Sequence, residues 1–106
     1  PPAIERVYFA TDSAALEAKS RNALAELVAD AGSTAQFVLE GHADYRGTEA
    51  LNESLSKDRA FTVQEALVRL GVARARIRVN YAGEAQPSSA LWRDRRVDIQ
   101  ILGGTR

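Results

Sequence analysis

Four short stretches of the chain carry the residue pattern of strands. Residues 4–10 carry β-branched and aromatic side chains, and residues 35–42 place Phe37 and Leu39 on one face and Val38 and Glu40 on the other. Residues 76–83 and 95–102 place apolar residues at every second position, between arginines and other polar residues. A period of two is typical of strands that are buried on one face, so the pattern predicts four strands.

Two longer stretches are rich in Ala, Leu and Glu and predict helices. Ser13 can cap a helix over residues 14–31, and Gly32 can end it. Thr48 can cap a second helix that ends at Gly71. The predicted order of elements is therefore βαβαββ.

This order contains two strand–helix–strand passages, which favour right-handed crossovers with the helices on one face. We therefore predict an α+β fold in which two helices pack on one face of a mixed four-stranded sheet. The length of 106 residues suits a single domain, residues 1–106. Residues 1–3 are expected to be the remainder of a linker.

Charge and composition exclude several classes of function. Fourteen basic residues balance fourteen acidic ones, so nothing in the overall charge favours nucleic acid or an anionic membrane. No apolar run approaches the roughly 20 residues of a membrane span, so membrane insertion by this domain is not expected. The chain has no Cys, and its single His, His42, would need several carboxylates to form a zinc site. We predict no metal and no cofactor.

The second predicted helix has polar residues where apolar ones are expected. At 100° per residue, one arc of the helix contains Asn52, Leu55, Arg59, Val63, Ala66 and Leu70. A buried guanidinium needs an acidic partner, water or a ligand, and Asp44 in the preceding loop is the nearest candidate in sequence. Two interpretations stay open on this pattern: a structural Asp44–Arg59 salt bridge, or a ligand pocket.

A second inward arginine follows from the alternation in the last strand. Arg95 shares its face with Val97, Ile99 and Ile101, whereas Arg96 points to the other side. Arginine offers a planar fork for a carboxylate, and aspartate accepts hydrogen bonds from an ammonium group. Two arginines with an Asp and an Asn therefore suit a zwitterionic ligand.

At these residues the chain resembles the OmpA C-terminal-like domain family, which includes Pal-type lipoproteins and the periplasmic part of MotB-type stator proteins. The resemblance covers nearly the whole chain and is carried by "VYFATDSAAL", "LEGHADYRGTEALNESLSKDRA", "GEAQP" and "DRRVDIQI". The stretch "GHADYRGT" is especially close to the Pal-type branch. One departure is Asp94, which stands where the family commonly has Asn before the arginine pair.

The resemblance implies non-covalent binding of peptidoglycan through the diaminopimelate residue of its stem peptide. It assigns Asp44 to the ligand's ammonium group and Arg59 to its carboxylate. Asn52 and Arg95 match further pocket residues. The remaining matches are at the edge and wall of the pocket: Thr11, Asp12, Ala43 and Leu55.

The role implied is to tether an outer-membrane or envelope protein to the cell wall in the periplasm, without catalysis. Further envelope proteins are possible partners. The alternative function is a periplasmic protein–protein adaptor in which Asp44 and Arg59 form a structural salt bridge.

Other signals are better explained by structure. Glu40, His42 and Asp44 could act as acid and base, but no nucleophile motif accompanies them, and His42 is expected to bond the loop backbone. The basic run at residues 69–78 alternates with apolar residues and is expected to form a solvated face rather than a nucleic-acid surface. Trp92 is expected to cover the edge of the core.

Overall fold

The computed structural model describes residues 3–44, 46–84 and 91–103. Its elements follow the predicted order βαβαββ. The four strands are β1 (Ala3–Tyr8), β2 (Gln36–Ala43), β3 (Ile77–Glu84) and β4 (Arg96–Leu102). The helices are α1 (Ala18–Ala31) and α2 (Glu49–Arg69), and short 3₁₀ turns at Arg74–Arg76 and Leu91–Arg93 precede the last two strands.

The strands form one mixed sheet in the order β1-β4-β2-β3. β4 is antiparallel to both of its neighbours, and β2 is parallel to β3, so α2 is the crossover between the parallel pair. This confirms the predicted α+β fold with two helices on a mixed four-stranded sheet. Pro1 and Pro2, expected to belong to a linker, lie outside the described residues, whereas Ala3 already pairs with Ile101.

Alternation along the strands divides the sheet into two faces. The face toward the helices carries the buried core, which includes Val7, Phe9, Phe37, Leu39, Val97 and Ile99 together with Leu24, Val63 and Leu67 of the helices. The opposite face, which we call the open face, carries Arg6, Glu40, Asp98 and Gln100. Trp92 was expected to cover the edge of the core. It is instead half exposed and packs edge-on against Tyr8.

Helix α1 begins four residues later than predicted. The Ser13 hydroxyl accepts a hydrogen bond from the Ala15 N–H, which forms a local turn rather than a helix cap. The carbonyl of Ser13 accepts a hydrogen bond from Arg59 Nε at 2.8 Å. In a helix that began at residue 14, this carbonyl would accept from the N–H of Glu17. The segment before α1 is therefore held by α2 in a non-helical path.

Helix α2 matches its prediction at both ends. The Thr48 hydroxyl accepts from the Leu51 N–H at 3.1 Å, which is an N-cap bond. At the other end Gly71 has a φ of 100°, and bonds from Gly71 to Val68 and from Val72 to Leu67 close a Schellman motif. Both ends of the helix are therefore set by local sequence signals.

The buried stripe of α2 is rotated relative to the prediction. It consists of Asn52, Ser56, Arg59, Ala60, Val63 and Leu67, whereas Leu55 and Ala66 are half-buried and Leu70 is exposed. The cause is the approach of α2 to β2 at Gly41, where a Cβ atom would collide with the carbonyl oxygen of Ser56. Small side chains at Ser56 and Ala60 permit this approach and so decide which side of the helix faces the sheet.

Candidate functional site

A pocket of about 360 Å³ lies where the ends of β1 and β2 meet the first half of α2. Its size is at the lower end of the range for small-molecule sites, roughly 300–1,000 Å³. Seven of the eight residues predicted for the site line this pocket: Thr11, Asp12, Ala43, Asp44, Asn52, Leu55 and Arg59. Three further lining residues, Arg46, Gly47 and Leu51, were not predicted.

Asp44 directly follows β2 and is buried, with 7% of its surface exposed. Arg46 holds both oxygens of its carboxylate. The backbone N–H and Nε of Arg46 donate to Oδ1 at 3.1 and 3.2 Å, and Nη2 donates to Oδ2 at 2.9 Å. These bonds from Arg46 are the main reason that the pKa of Asp44 lies below its ordinary value, so the carboxylate is ionised at neutral pH.

Arg59 is fully buried on α2, and it does not form the salt bridge with Asp44 that one interpretation expected. Its three nitrogens donate instead to the carbonyls of Ser13 (2.8 Å), His42 (3.1 Å) and Ala10 (3.0 Å). A guanidinium has five N–H groups, so these bonds leave one on each terminal nitrogen. Arg59 therefore ties β1 and β2 to the helix and keeps donors for a further acceptor.

The charge of Arg59 is maintained despite its burial. Desolvation, with a smaller contribution from the positive charge of Arg95, lowers the pKa of Arg59 to about 10, while Asp44 and Asp12 act in the opposite direction. The guanidinium is thus protonated at neutral pH. The residues that line the pocket therefore include two arginines, Arg46 and Arg59, and two aspartates, Asp12 and Asp44.

Arg95, the eighth predicted residue, does not line the pocket but lies behind it. Its side chain is 15% exposed, its Nη1 is 3.6 Å from Asp44 Oδ2, and its Nε donates to the carbonyl of Phe9 at 2.9 Å. The predicted inward orientation of Arg95 is therefore correct. Asp94 before it is buried as well, but the described ion pair of Arg95 is with Asp44.

The other predicted residues take the positions expected of a rim and wall. Asp12 has a φ of 54°, a left-handed conformation that Asp tolerates better than most side chains, at the rim after β1. Asn52 is buried one turn into α2, with its Oδ1 facing Gly47, which has a φ of 87°. Ala43 and Leu55 contribute apolar surface.

Arg46 is the charged lining residue that sequence reasoning missed. Besides holding Asp44, its Nη2 donates to the Thr11 hydroxyl at 3.4 Å, so this side chain spans the pocket from β2 to the segment after β1. The available signal was its position two residues after Asp44, where a loop side chain can fold back onto the carboxylate. An arginine in a loop has no periodic pattern, and that is why the sequence did not single it out.

The sequence predicted that the His42 side chain would bond the loop backbone, and it does not. Its ring lies on the open face, and Nε2 is 3.0 Å from Glu40 Oε1 and 3.3 Å from Asp98 Oδ2. The pairing of Glu40 with Asp98 across β2 and β4 brings in the second carboxylate, which sequence spacing could not indicate. His42 contributes only its backbone carbonyl to the pocket side, through the bond from Arg59.

Comparisons of sequence identify a family and relatives of this chain. The model of the OmpA family matches residues 8–91. A peptidoglycan-associated lipoprotein of Mesorhizobium japonicum is 32% identical over 94% of this chain, and one of Pseudomonas aeruginosa is 40% identical over 80% of it. The chain spans 64% of the first of these relatives and 51% of the second.

Solved structures share the fold. The crystal structure of the peptidoglycan-associated lipoprotein from Burkholderia pseudomallei superposes with a TM-score of 0.82 at 25% identity, covering 92% of this chain and 89% of the other. The C-terminal domain of Helicobacter pylori MotB has a TM-score of 0.79 at 17% identity over 95% of this chain and 86% of its own, which is a likeness of fold. Among the described residues, neither helix has the length and apolar character needed to cross a bilayer. The family match over most of the chain and the two curated relatives place this protein in the OmpA family.

Proposed function

We propose that this domain binds peptidoglycan non-covalently through the diaminopimelate residue of the stem peptide. Its role is to tether an outer-membrane or envelope protein to the cell wall in the periplasm. The observation that carries the proposal is a single pocket that combines a buried, ionised Asp44 with a buried, protonated Arg59. Buried charges of opposite sign that are not paired with each other suit a ligand that carries both signs.

In the bound state the ligand's ammonium group takes the position of the Arg46 guanidinium at Asp44. Arg46 is the group to move because nearly half of its side chain is exposed, whereas Arg59 and Asp44 are fixed by the fold. The ligand's carboxylate then accepts from the remaining N–H groups of Arg59. Asn52 lines the pocket from α2, and Arg95, the residue before β4, supports Asp44 from behind.

This arrangement distinguishes diaminopimelate from lysine. The two residues differ by one carboxylate at the far end of the side chain, so a lysine-type stem peptide would leave Arg59 without its acceptor. A charge-assisted hydrogen bond contributes about 1.5–3 kcal/mol, which corresponds to about 10- to 150-fold in affinity.

The names of the relatives support the coarser part of the proposal, since both curated relatives described above are peptidoglycan-associated lipoproteins. The function is one of binding without catalysis. The salt bridge named in the adaptor alternative does not form, because Asp44 pairs with Arg46 and Arg95 rather than with Arg59, and the docking of a protein partner stays a prediction.

The test is co-sedimentation with purified diaminopimelate-type sacculi. Asp44→Asn keeps the shape of the side chain and removes its charge, so the variant should stay largely in the supernatant while wild type sediments. Asp58→Asn is the matched control because Asp58 is an exposed residue of α2 that does not line the pocket, and it should sediment like wild type. Equal sedimentation of Asp44→Asn and wild type would reject the pocket, and release of soluble muropeptides would reject a non-catalytic role.

A further inference from the structure

A second group of chemically reactive side chains lies on the open face, outside the pocket. Glu40 and Asp98 are paired across β2 and β4, and His42 lies two residues along β2 on the same face. One ligand atom from each of these three residues falls within 4.8 Å of the others. Their combination of one imidazole and two carboxylates is a donor set found in metal sites.

The imidazole of His42 is buried beside the carboxylates of Glu40 and Asp98. Its side chain is 8% exposed, and both ring nitrogens lack an aligned partner among the described residues. Nε2 is directed at two carboxylates, which lie 3.0 and 3.3 Å away. A single N–H shared between two acceptors is poorly aligned with both, whereas a cation between the three groups would satisfy all of them.

We propose that Glu40, His42 and Asp98 bind a divalent transition-metal ion of the Zn²⁺ class. Ligand atoms about 2.1 Å from a tetrahedral ion lie about 3.4 Å apart, which is close to both separations from Nε2. Half of the Glu40 side chain is exposed, so water can occupy the fourth position. Two carboxylates neutralise the charge of the ion, and an imidazole favours Zn²⁺ over Mg²⁺ or Ca²⁺.

Two arginines set the strength of the site. Arg96 Nε and Arg6 Nε contact Asp98 Oδ1 at 2.8 and 3.4 Å, which orients the carboxylate and leaves Oδ2 directed at His42. Their positive charges also oppose a cation, so the affinity is lower than for the same donors alone. The bound ion would link β2 to β4 next to His42, whose carbonyl accepts the bond from Arg59.

The site is independent of wall binding and is tested without any peptidoglycan. Tag-free protein is titrated with Zn²⁺ alone while the imidazole ¹⁵N signals are recorded, and the single His in the sequence makes the signals unambiguous. We expect binding of one equivalent with a large shift at Nε2. Absence of any change in the His42 ring signals would overturn the proposal.

Variants identify the ligands. Glu40→Gln removes one ligand at a half-exposed position, so the fold is retained, and we expect the affinity for Zn²⁺ to fall by at least about tenfold. Glu26→Gln is the control, since Glu26 is an exposed residue of α1, and its affinity should equal that of wild type. Equal affinity in Glu40→Gln and wild type would also overturn the assignment.

Discussion

Arg46 closes on Asp44 with two side-chain hydrogen bonds, Nη2–Oδ2 at 2.9 Å and Nε–Oδ1 at 3.2 Å. Asp44 is the group that we assign to the ligand's ammonium, so the empty pocket contains its own competitor. The two residues differ in mobility, because the Arg46 side chain is 47% exposed and that of Asp44 only 8%. The proposed binding would therefore exchange one cation for another at a fixed carboxylate.

Removal of this competitor should strengthen binding. Arg46→Ala is expected to raise the affinity for a diaminopimelate stem peptide about 1.5- to 5-fold, since a half-exposed ion pair contributes about 0.2–1 kcal/mol. Calorimetry measures the change, and Arg78→Ala, at an exposed arginine of β3, is the control. A loss of affinity in Arg46→Ala would mean that Arg46 holds the ligand rather than competing with it.

Acid should destabilise the domain partly through Asp44. The pKa of Asp44 in the folded protein is lower than its ordinary value of 3.8. The stabilisation from the ionised carboxylate is therefore fully present above pH 3.8 and is lost as the pH falls through the pKa of the folded state. We expect the melting temperature of wild type to fall more steeply below pH 3.8 than that of Asp44→Asn. Parallel pH profiles for the two proteins would show that Asp44 does not contribute in this way.

Arg59 should be needed for folding as well as for binding. Arg59→Met keeps much of the volume but leaves the carbonyls of Ala10, Ser13 and His42 without their donor. The free energy of unfolding should fall by about 3 kcal/mol, because unsatisfied buried polar groups cost about 1–3 kcal/mol each and the Ala10 end is exposed to water. Urea denaturation measures it, and a loss under about 1 kcal/mol would contradict this role.

Gly41 should tolerate no side chain. Gly41→Ala forces α2 away from β2 at Ser56 and is expected to cost about 1–3 kcal/mol or more in the free energy of unfolding. Gly71→Ala is an informative comparison, since its Cβ would meet open space and only the φ of 100° is unfavourable. Gly41→Ala should also bind sacculi more weakly, because it displaces α2, which carries Asn52 and Arg59. Wild-type stability in Gly41→Ala would show that the helix approaches the strand less closely.

The sequence was sufficient to predict what depends on local pattern. The strand alternation, the Thr48 cap and the Gly71 end all predicted elements that the structure contains, and parity placed Arg95 inward. The start of α1 was wrong because the Ser13 carbonyl bonds Arg59, 46 residues away, and no local signal reports that contact.

Contacts across the fold were likewise beyond sequence reasoning. The Asp44–Arg59 interpretation treated nearness in sequence as pairing, whereas Arg59 donates to three carbonyls in two separate segments, residues 10–13 and residue 42. The Asp98 partner of His42 depends on the register of β4 against β2. Thr11, Asp12, Ala43 and Leu55 were placed through family resemblance, and the structure brings them to the same pocket as Asp44.

The most direct test of the central claim is a calorimetric titration of the domain with a diaminopimelate-containing stem peptide, beside the same peptide with lysine. We predict that the diaminopimelate peptide binds about 10- to 150-fold more tightly and that Asp44→Asn weakens its binding strongly. Equal affinity for the two peptides, or unchanged affinity in Asp44→Asn, would contradict a pocket built for a zwitterion.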